Sequence, residues 1–320
     1  MSVAICLLLF AAVVGVVAPR VLPRLTGTGI APAAAVAVWV IVLASALVSW
    51  AAVAISLIVY VVHTWNQPHA LTLRACLVAL RSAAIEHSGL VTQAGLALVA
   101  FAVSALLVGF AIRVIRSLVR ARTGARQHAE TARILGRRIA GVDGFVVDAP
   151  QKAAYCLGGR RGTIVITSAA VAALQRPHLD AVLSHERAHL TGHHHLLLAI
   201  TRALASSMPR VRLFTVAQVE VACLLEMCAD DAAIRRHGPT ALLSALLTLA
   251  GVDVIPSPAL GAATVGIAAR VDRLTEPNST GRRLRARVLL AAAGVAVLAV
   301  PVLSAWTVVS GTFTACVFMP

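Results

Sequence analysis

The chain has 320 residues, of which 59% are hydrophobic and only 13% charged, with a mean hydropathy of +0.87. Soluble domains carry about 25% charged residues, so this composition excludes an ordinary soluble globular protein and points to a membrane protein. The formal net charge of +15 rests almost wholly on arginine, Lys152 being the only lysine. These arginines crowd beside apolar runs and show no aromatic-interleaved groove, so the expected partner is a lipid bilayer and not nucleic acid.

Residues 2–18 are uncharged and apolar up to Pro19-Arg20, just long enough for a span of roughly 17 residues. The positive amino-terminal region of a cleaved signal peptide is missing, so a permanent first helix is expected. Residues 31–62 form a second uncharged run, with Tyr60 and Trp65 suited to an interfacial position. The more polar stretch 63–87, which holds an amphipathic piece from Leu71 to Ile85, is expected as an external loop. A third run, 88–112, stops at Arg113, Arg116, Arg120, Arg122 and Arg126. Nearly all the acidic residues lie in 113–287, which a second cluster closes with Arg282, Arg283, Arg285 and Arg287. The fourth run extends from Val288 to about Val309.

Cytoplasmic flanks are enriched in arginine and lysine, so the two clusters place 113–287 inside. Arg74 and Arg81 in the 63–87 loop run against this and are outweighed. The expectation is therefore a multi-pass protein of the plasma membrane with four spans. Its domains are three transmembrane helices in 1–112, a cytosolic α+β domain at 113–287, and a fourth span with a short external tail at 288–320. The six cysteines are scattered, and Cys223 and Cys228, five apart, suit helix packing better than zinc.

Within 113–287, Phe145–Asp148, Ala153–Leu157 and Gly162–Thr167 read as short strands, with Gly158–Gly162 as a hairpin turn. Thr167 and Ser168 start a helix over about 168–175. Another begins near Pro177 with Asp180 in its first turn, favourable for the helix dipole. Leu196–Ala205 and Ala241–Ala250 are apolar but too short to span.

The helix that starts near Pro177 carries Ser184-His185-Glu186-Arg187-Ala188-His189-Leu190, a His-Glu-x-x-His motif. Positions four apart share a helix face, so His185 and His189 can present their imidazoles to one metal ion, and Glu186 can act as general base. Catalytic zinc usually takes a third protein ligand. Glu226, in Glu226-Met227-Cys228-Ala229-Asp230-Asp231, is the best candidate, with Glu220 the alternative. Asp230, four residues after Glu226, can accept a hydrogen bond from a ligand histidine and fix its tautomer. His193, His194 and His195 cannot all face one point on a helix and are expected in surface or interfacial packing. His237 or a nearby arginine is a candidate for oxyanion stabilisation. The implied chemistry is zinc-assisted peptide hydrolysis, with the Ala153–Leu157 strand available to pair with an extended substrate.

These residues resemble the BlaR/MecR-type membrane zinc metallopeptidases. The likeness rests on Gly162–Ser168, on Leu179–His189, on Glu226–Asp231, and on the order of three spans, protease domain and one span. It implies a gluzincin-like cytoplasmic domain with His185, His189 and Glu226 as zinc ligands and Glu186 as base. It also implies a cytosolic protein substrate such as a DNA-binding repressor. The penicillin-binding domain and Ser-x-x-Lys motif of the antibiotic sensors do not follow the fourth run, so β-lactam sensing is not expected. The alternatives are a quality-control peptidase of the HtpX type and a non-catalytic metal-binding membrane protein.

Overall fold

The computed structural model describes residues 2–65, 73–138, 144–158, 162–250, 262–275 and 280–317. The protein is mostly helical, and the described residues divide into two compact units. One comprises 1–15, 41–112 and 295–320; the other comprises 16–40 and 113–294.

Two apolar helices open the chain, α1 (Ser2–Thr26) and α2 (Pro32–Trp65), followed by α3 (Leu73–Leu135). These three, with the last helix (Thr280–Val317), contain stretches long and apolar enough to cross a membrane: Ile5–Thr26, Pro32–Val62, Ala94–Leu135 and Thr280–Leu303. Large apolar side chains stand exposed along them, among them Phe101, Leu106, Leu289 and Val295. A helix that turns such residues outward suits a lipid solvent, because its backbone polar groups are already satisfied internally.

The elements differ from expectation at their ends. Instead of a loop over 63–87, the backbone is helical from Leu73 onward, while 66–72 lie outside the described residues. Nor does α3 stop at the basic cluster; it runs on to Leu135, where Gly136 closes it with an N–H to the Ala132 carbonyl. Arginine is a good helix former and no proline interrupts 73–135, so charge changes the helix's environment without ending it. For the same reason the last helix begins at Thr280, ahead of its arginines, and not at Val288.

The second unit holds all the strands among the described residues. These are β1 (Phe145–Val147), β2 (Ala154–Leu157) and β3 (Thr163–Thr167), in the order β1-β3-β2. β3 is central and buried throughout; β1 lies parallel to it, Phe145 opposite Val165, and β2 antiparallel, Tyr155 opposite Val165. The pairing of Leu157 with Thr163 fits the expected hairpin, though residues 159–161 of its turn lie outside the described residues. At the end of β3, Thr167 Oγ1 accepts from the Ala170 amide (3.2 Å), capping α4 (Ser168–Ala173), and from the Ala153 amide (3.0 Å). One hydroxyl thus ties the edge strand to the first helix turn.

Helices complete the unit: α5 (Arg176–Thr191), α6 (His194–Ser207), α7 (Arg212–His237), α8 (Pro239–Ala250) and α9 (Ala262–Thr275), before α10 (Thr280–Val317). Pro177 sits in the first turn of α5, as expected. α5 is the hub, packed against α6, α7, α8, β2 and β3. Val146, Ile164 and Ile166 from the sheet meet Leu179, Val182 and Leu183 from α5 and Ala245 from α8 in one core. The unit also takes in 16–40, the end of α1 and the start of α2, which the sequence-based domain 113–287 leaves out. Gly29 in that turn adopts φ +59, and a Cβ there would lie 2.3 Å from Met227 Sδ of α7. Only glycine accommodates both this left-handed backbone and this close approach.

Candidate active site

The buried face of α5 holds Leu179, Val182 and Leu183 but also Ser184, His185, Glu186 and His189. Burying a charged or strongly polar group among apolar ones is costly unless partners satisfy it. The partners come mainly from α7, where Glu226 and the fully buried Asp230 stand one turn apart.

Three donor residues converge. His185 Nε2 lies 3.1 Å from His189 Nε2 and 3.4 Å from Glu226 Oε2, and His189 Nε2 lies 3.4 Å from Glu226 Oε1. Four ligands at about 2.0–2.1 Å in a tetrahedron stand about 3.3–3.4 Å apart. The separations, which reach the two different oxygens of Glu226, are close to that edge length, and His185, His189 and Glu226 are the group among the described residues that could hold a metal ion, with one donor atom from each lying within 4.8 Å of the others. The histidines are buried whereas the Glu226 side chain is 38% exposed, so the donor set opens on one side. An open position is what a catalytic, as opposed to structural, metal site requires.

Asp230 lies on the far side of the His185 ring from Glu226. Its Oδ1 lies 3.1 Å from His185 Nδ1, an ion-pair distance without a well-aligned hydrogen bond. The sequence reading missed the group that holds this carboxylate. Arg270 of α9 donates through Nε to Asp230 Oδ2 (2.8 Å) and through Nη2 to Oδ1 (2.7 Å), and its Nη1 lies 3.2 Å from Glu226 Oε2. A single buried guanidinium thus bridges both carboxylates. Burial would raise the Glu226 and Asp230 carboxyls, but the adjacent His185 imidazole, together with the Arg270 charge, outweighs it and holds both below their ordinary values.

Glu186 behaves oppositely. Burial pushes its carboxyl up to about 7, against the pull of His185 and with a further push from Glu226. Beside it, on β2, is the Cys156 thiol, raised to about 12 by burial and by the Glu186 carboxylate with which it hydrogen-bonds. The edge strand of the sheet therefore runs alongside the candidate base.

Other candidates separate from this group. Glu220, the alternative ligand, faces the Thr26 hydroxyl at 3.5 Å. Cys223 and Cys228 are free thiols outside the donor set. His237 is exposed at the end of α7, eleven residues past Glu226, or about 16 Å along a helix axis. That distance removes it from the chemistry and leaves Arg270 as the arginine at the site. Of the three consecutive histidines, His193 and His195 pair with each other at 6.1 Å between ring centroids, whereas His194 packs on His189.

Residues 119–253 match the model of peptidase family M48. The matched segment contains His185, Glu186, His189, Glu226 and Asp230, and ends before Arg270. No curated protein and no solved structure matches the chain. The match supports a metallopeptidase of family M48 and, with the apolar helices, a membrane metalloprotease.

Proposed function

We propose that this metallopeptidase is a membrane-anchored zinc endopeptidase in which His185, His189 and Glu226 hold zinc and Glu186 is the general base. The observation that carries the reading is the set of three separations, 3.1, 3.4 and 3.4 Å, among donors brought from two helices. Zinc held there would supply a Lewis acid that polarises the scissile carbonyl and lowers the pKa of a water molecule to about 7.

The chain's own residues carry the rest. Glu186 accepts a proton from the attacking water, whose oxygen bonds to the carbonyl carbon, and returns it to the nitrogen as the C–N bond breaks. A carboxyl raised to about 7 suits both halves of that transfer. Asp230 orients His185, and Arg270 keeps Asp230 and Glu226 ionised and in place. Among the described residues the outer edge of β2 carries no partner strand, and Cys156 on it borders Glu186. An extended substrate segment adds to that edge as a further strand, which draws its peptide bond past the base.

The arginine clusters at 113–126 and 282–287 support a cytoplasmic protease unit and four spans in the plasma membrane, hence a cytosolic protein substrate. The BlaR/MecR-like order of helices and protease favours a regulatory substrate such as a repressor over quality control.

The test uses purified protein in detergent. About one zinc per chain is expected by elemental analysis, retained in Glu186→Gln and Glu220→Ala and lost in Glu226→Ala. Glu186→Gln should lower cleavage by about 10²–10⁴-fold. Proteins that accumulate in cells carrying that variant identify the substrate class: a single regulator supports signalling, and many misfolded membrane proteins support quality control. Cleavage of every accumulating protein at the wild-type rate by Glu186→Gln sinks the catalytic assignment.

A further inference from the structure

The three histidines after the motif helix remain to be explained, and one of them has a specific geometry. His194 is 8% exposed, its Nδ1 stands 3.0 Å from His189 Nδ1, and the two rings meet edge to face at 4.9 Å. We infer that His194 is a positioning residue for the metal site: it accepts the Nδ1 proton of His189 and thereby keeps the His189 Nε2 lone pair turned toward Glu226 and His185. The inference rests on the assignment of His189 as a ligand.

Proton counting fixes the direction of the bond. A neutral imidazole carries one N–H, and a ring that offers Nε2 as a donor atom keeps its proton on Nδ1. That proton needs an acceptor, and the atom at 3.0 Å is another Nδ1. His194 must then present a lone pair at Nδ1 and hold its own proton at Nε2. Two protonated Nδ1 atoms at this distance would repel, so ligand geometry and tautomer are chosen together.

The local chain is built for this contact. α5 ends at Gly192, whose φ of −79 suits any residue. A Cβ there, however, would lie 2.4 Å from His194 Nε2 and 2.7 Å from its Cδ2. Glycine here leaves room for the ring, which any larger residue would displace; the backbone conformation does not call for it. The next residue, His193, is left-handed at φ 52 and ψ 31 and is the only non-glycine residue with positive φ among those described. Such a conformation is strained for a residue with a Cβ. It reverses the chain between α5 and α6 and returns the first side chain of α6 beneath the last turn of α5. A missing Cβ, a left-handed residue and a buried ring thus converge on one nitrogen.

His185 is oriented from α7 by a carboxylate, Asp230. A neutral ring serves His189 instead, which adds no third negative charge beside Glu226 and Asp230.

The test compares two side chains of nearly one shape. In asparagine Oδ1, and in leucine a methyl, stand one bond from Cγ, where His194 has Nδ1. Zinc affinity is measured on the full-length protein in detergent by competition with a chromophoric chelator. His194→Leu is expected to weaken zinc by about 10–100-fold, and His194→Asn to recover most of that loss. Gly192→Ala, which forces the ring away, is expected to act like leucine. Unfolding midpoints in excess chelator should agree between the Leu and Asn variants, which separates ligand orientation from packing. Equal zinc affinities for the Leu and Asn variants overturn the inference. Wild-type protein that binds no zinc overturns the ligand assignment itself, and the inference with it.

Discussion

Replacing Arg270 by methionine isolates the electrostatic contact on which the site's geometry depends. Asp230 is fully buried, and the two short bonds from Arg270, 2.8 and 2.7 Å, are its charge-compensating contacts from α9. Removing Arg270 leaves the buried carboxylate with His185 Nδ1, 3.1 Å away and poorly aligned, as its remaining partner, at a cost of about 3–5 kcal/mol. For a unit of this size each kcal/mol lowers the unfolding midpoint by about 2–4 °C, so a fall of about 6–20 °C is expected. The measurement is thermal unfolding in detergent with excess chelator, so that altered metal binding at Glu226, 3.2 Å from Arg270, does not contribute. The double variant Asp230→Asn, Arg270→Met removes the stranded charge and should recover most of the loss. A single variant that loses less than about 1 kcal/mol, or a double variant no better than the single, refutes the reasoning.

Glu220 tests burial in the other direction. Burial raises its carboxyl, so its favourable contribution is complete below the ordinary carboxylate range and is lost as pH climbs through the raised value. Glu220→Gln is therefore expected to match or exceed wild-type stability near pH 7.5, with the difference closing on acidification; a lower midpoint at pH 7.5 contradicts this. Cys156, raised to about 12, has roughly one thiolate in 10⁴ at pH 8. Iodoacetamide should leave it unmodified in the folded protein and label it after denaturation, as peptide mass spectrometry would show; rapid labelling of the folded state argues against its burial beside Glu186. Gly29→Ala meets both a left-handed backbone and Met227 Sδ, and a cost of about 1–3 kcal/mol is expected in the same unfolding assay. Because Met227 adjoins Glu226, weakened zinc retention should accompany it.

Much of this architecture follows from local rules that a sequence displays. Apolar runs long enough to span, strands bounded by glycine and proline, and the proline-started helix beneath His185 depend on neighbours a few residues away. The same holds for the pairs His185/His189 and Glu226/Asp230, since four residues on a helix make one face whatever surrounds it. The ends of α3 and α10 lie beyond the apolar runs because a change from apolar to arginine marks a change of solvent, not a break in backbone hydrogen bonding.

Other features are set by tertiary structure alone. Any of the many arginines in the chain could neutralise Asp230; that Arg270 does so follows from where α9 packs, 40 residues later. The turn at Gly29 meets Met227 across nearly two hundred residues of chain. Three adjacent histidines look equivalent until a left-handed residue and a missing Cβ direct the middle one onto His189. Residue type and spacing on α5 and α7 thus determine which atoms can act as donors. Which charges and ring nitrogens hold those donors in place depends on packing between segments far apart in sequence, because the cost of a buried unpaired group is met by whatever partner the fold brings within hydrogen-bonding distance.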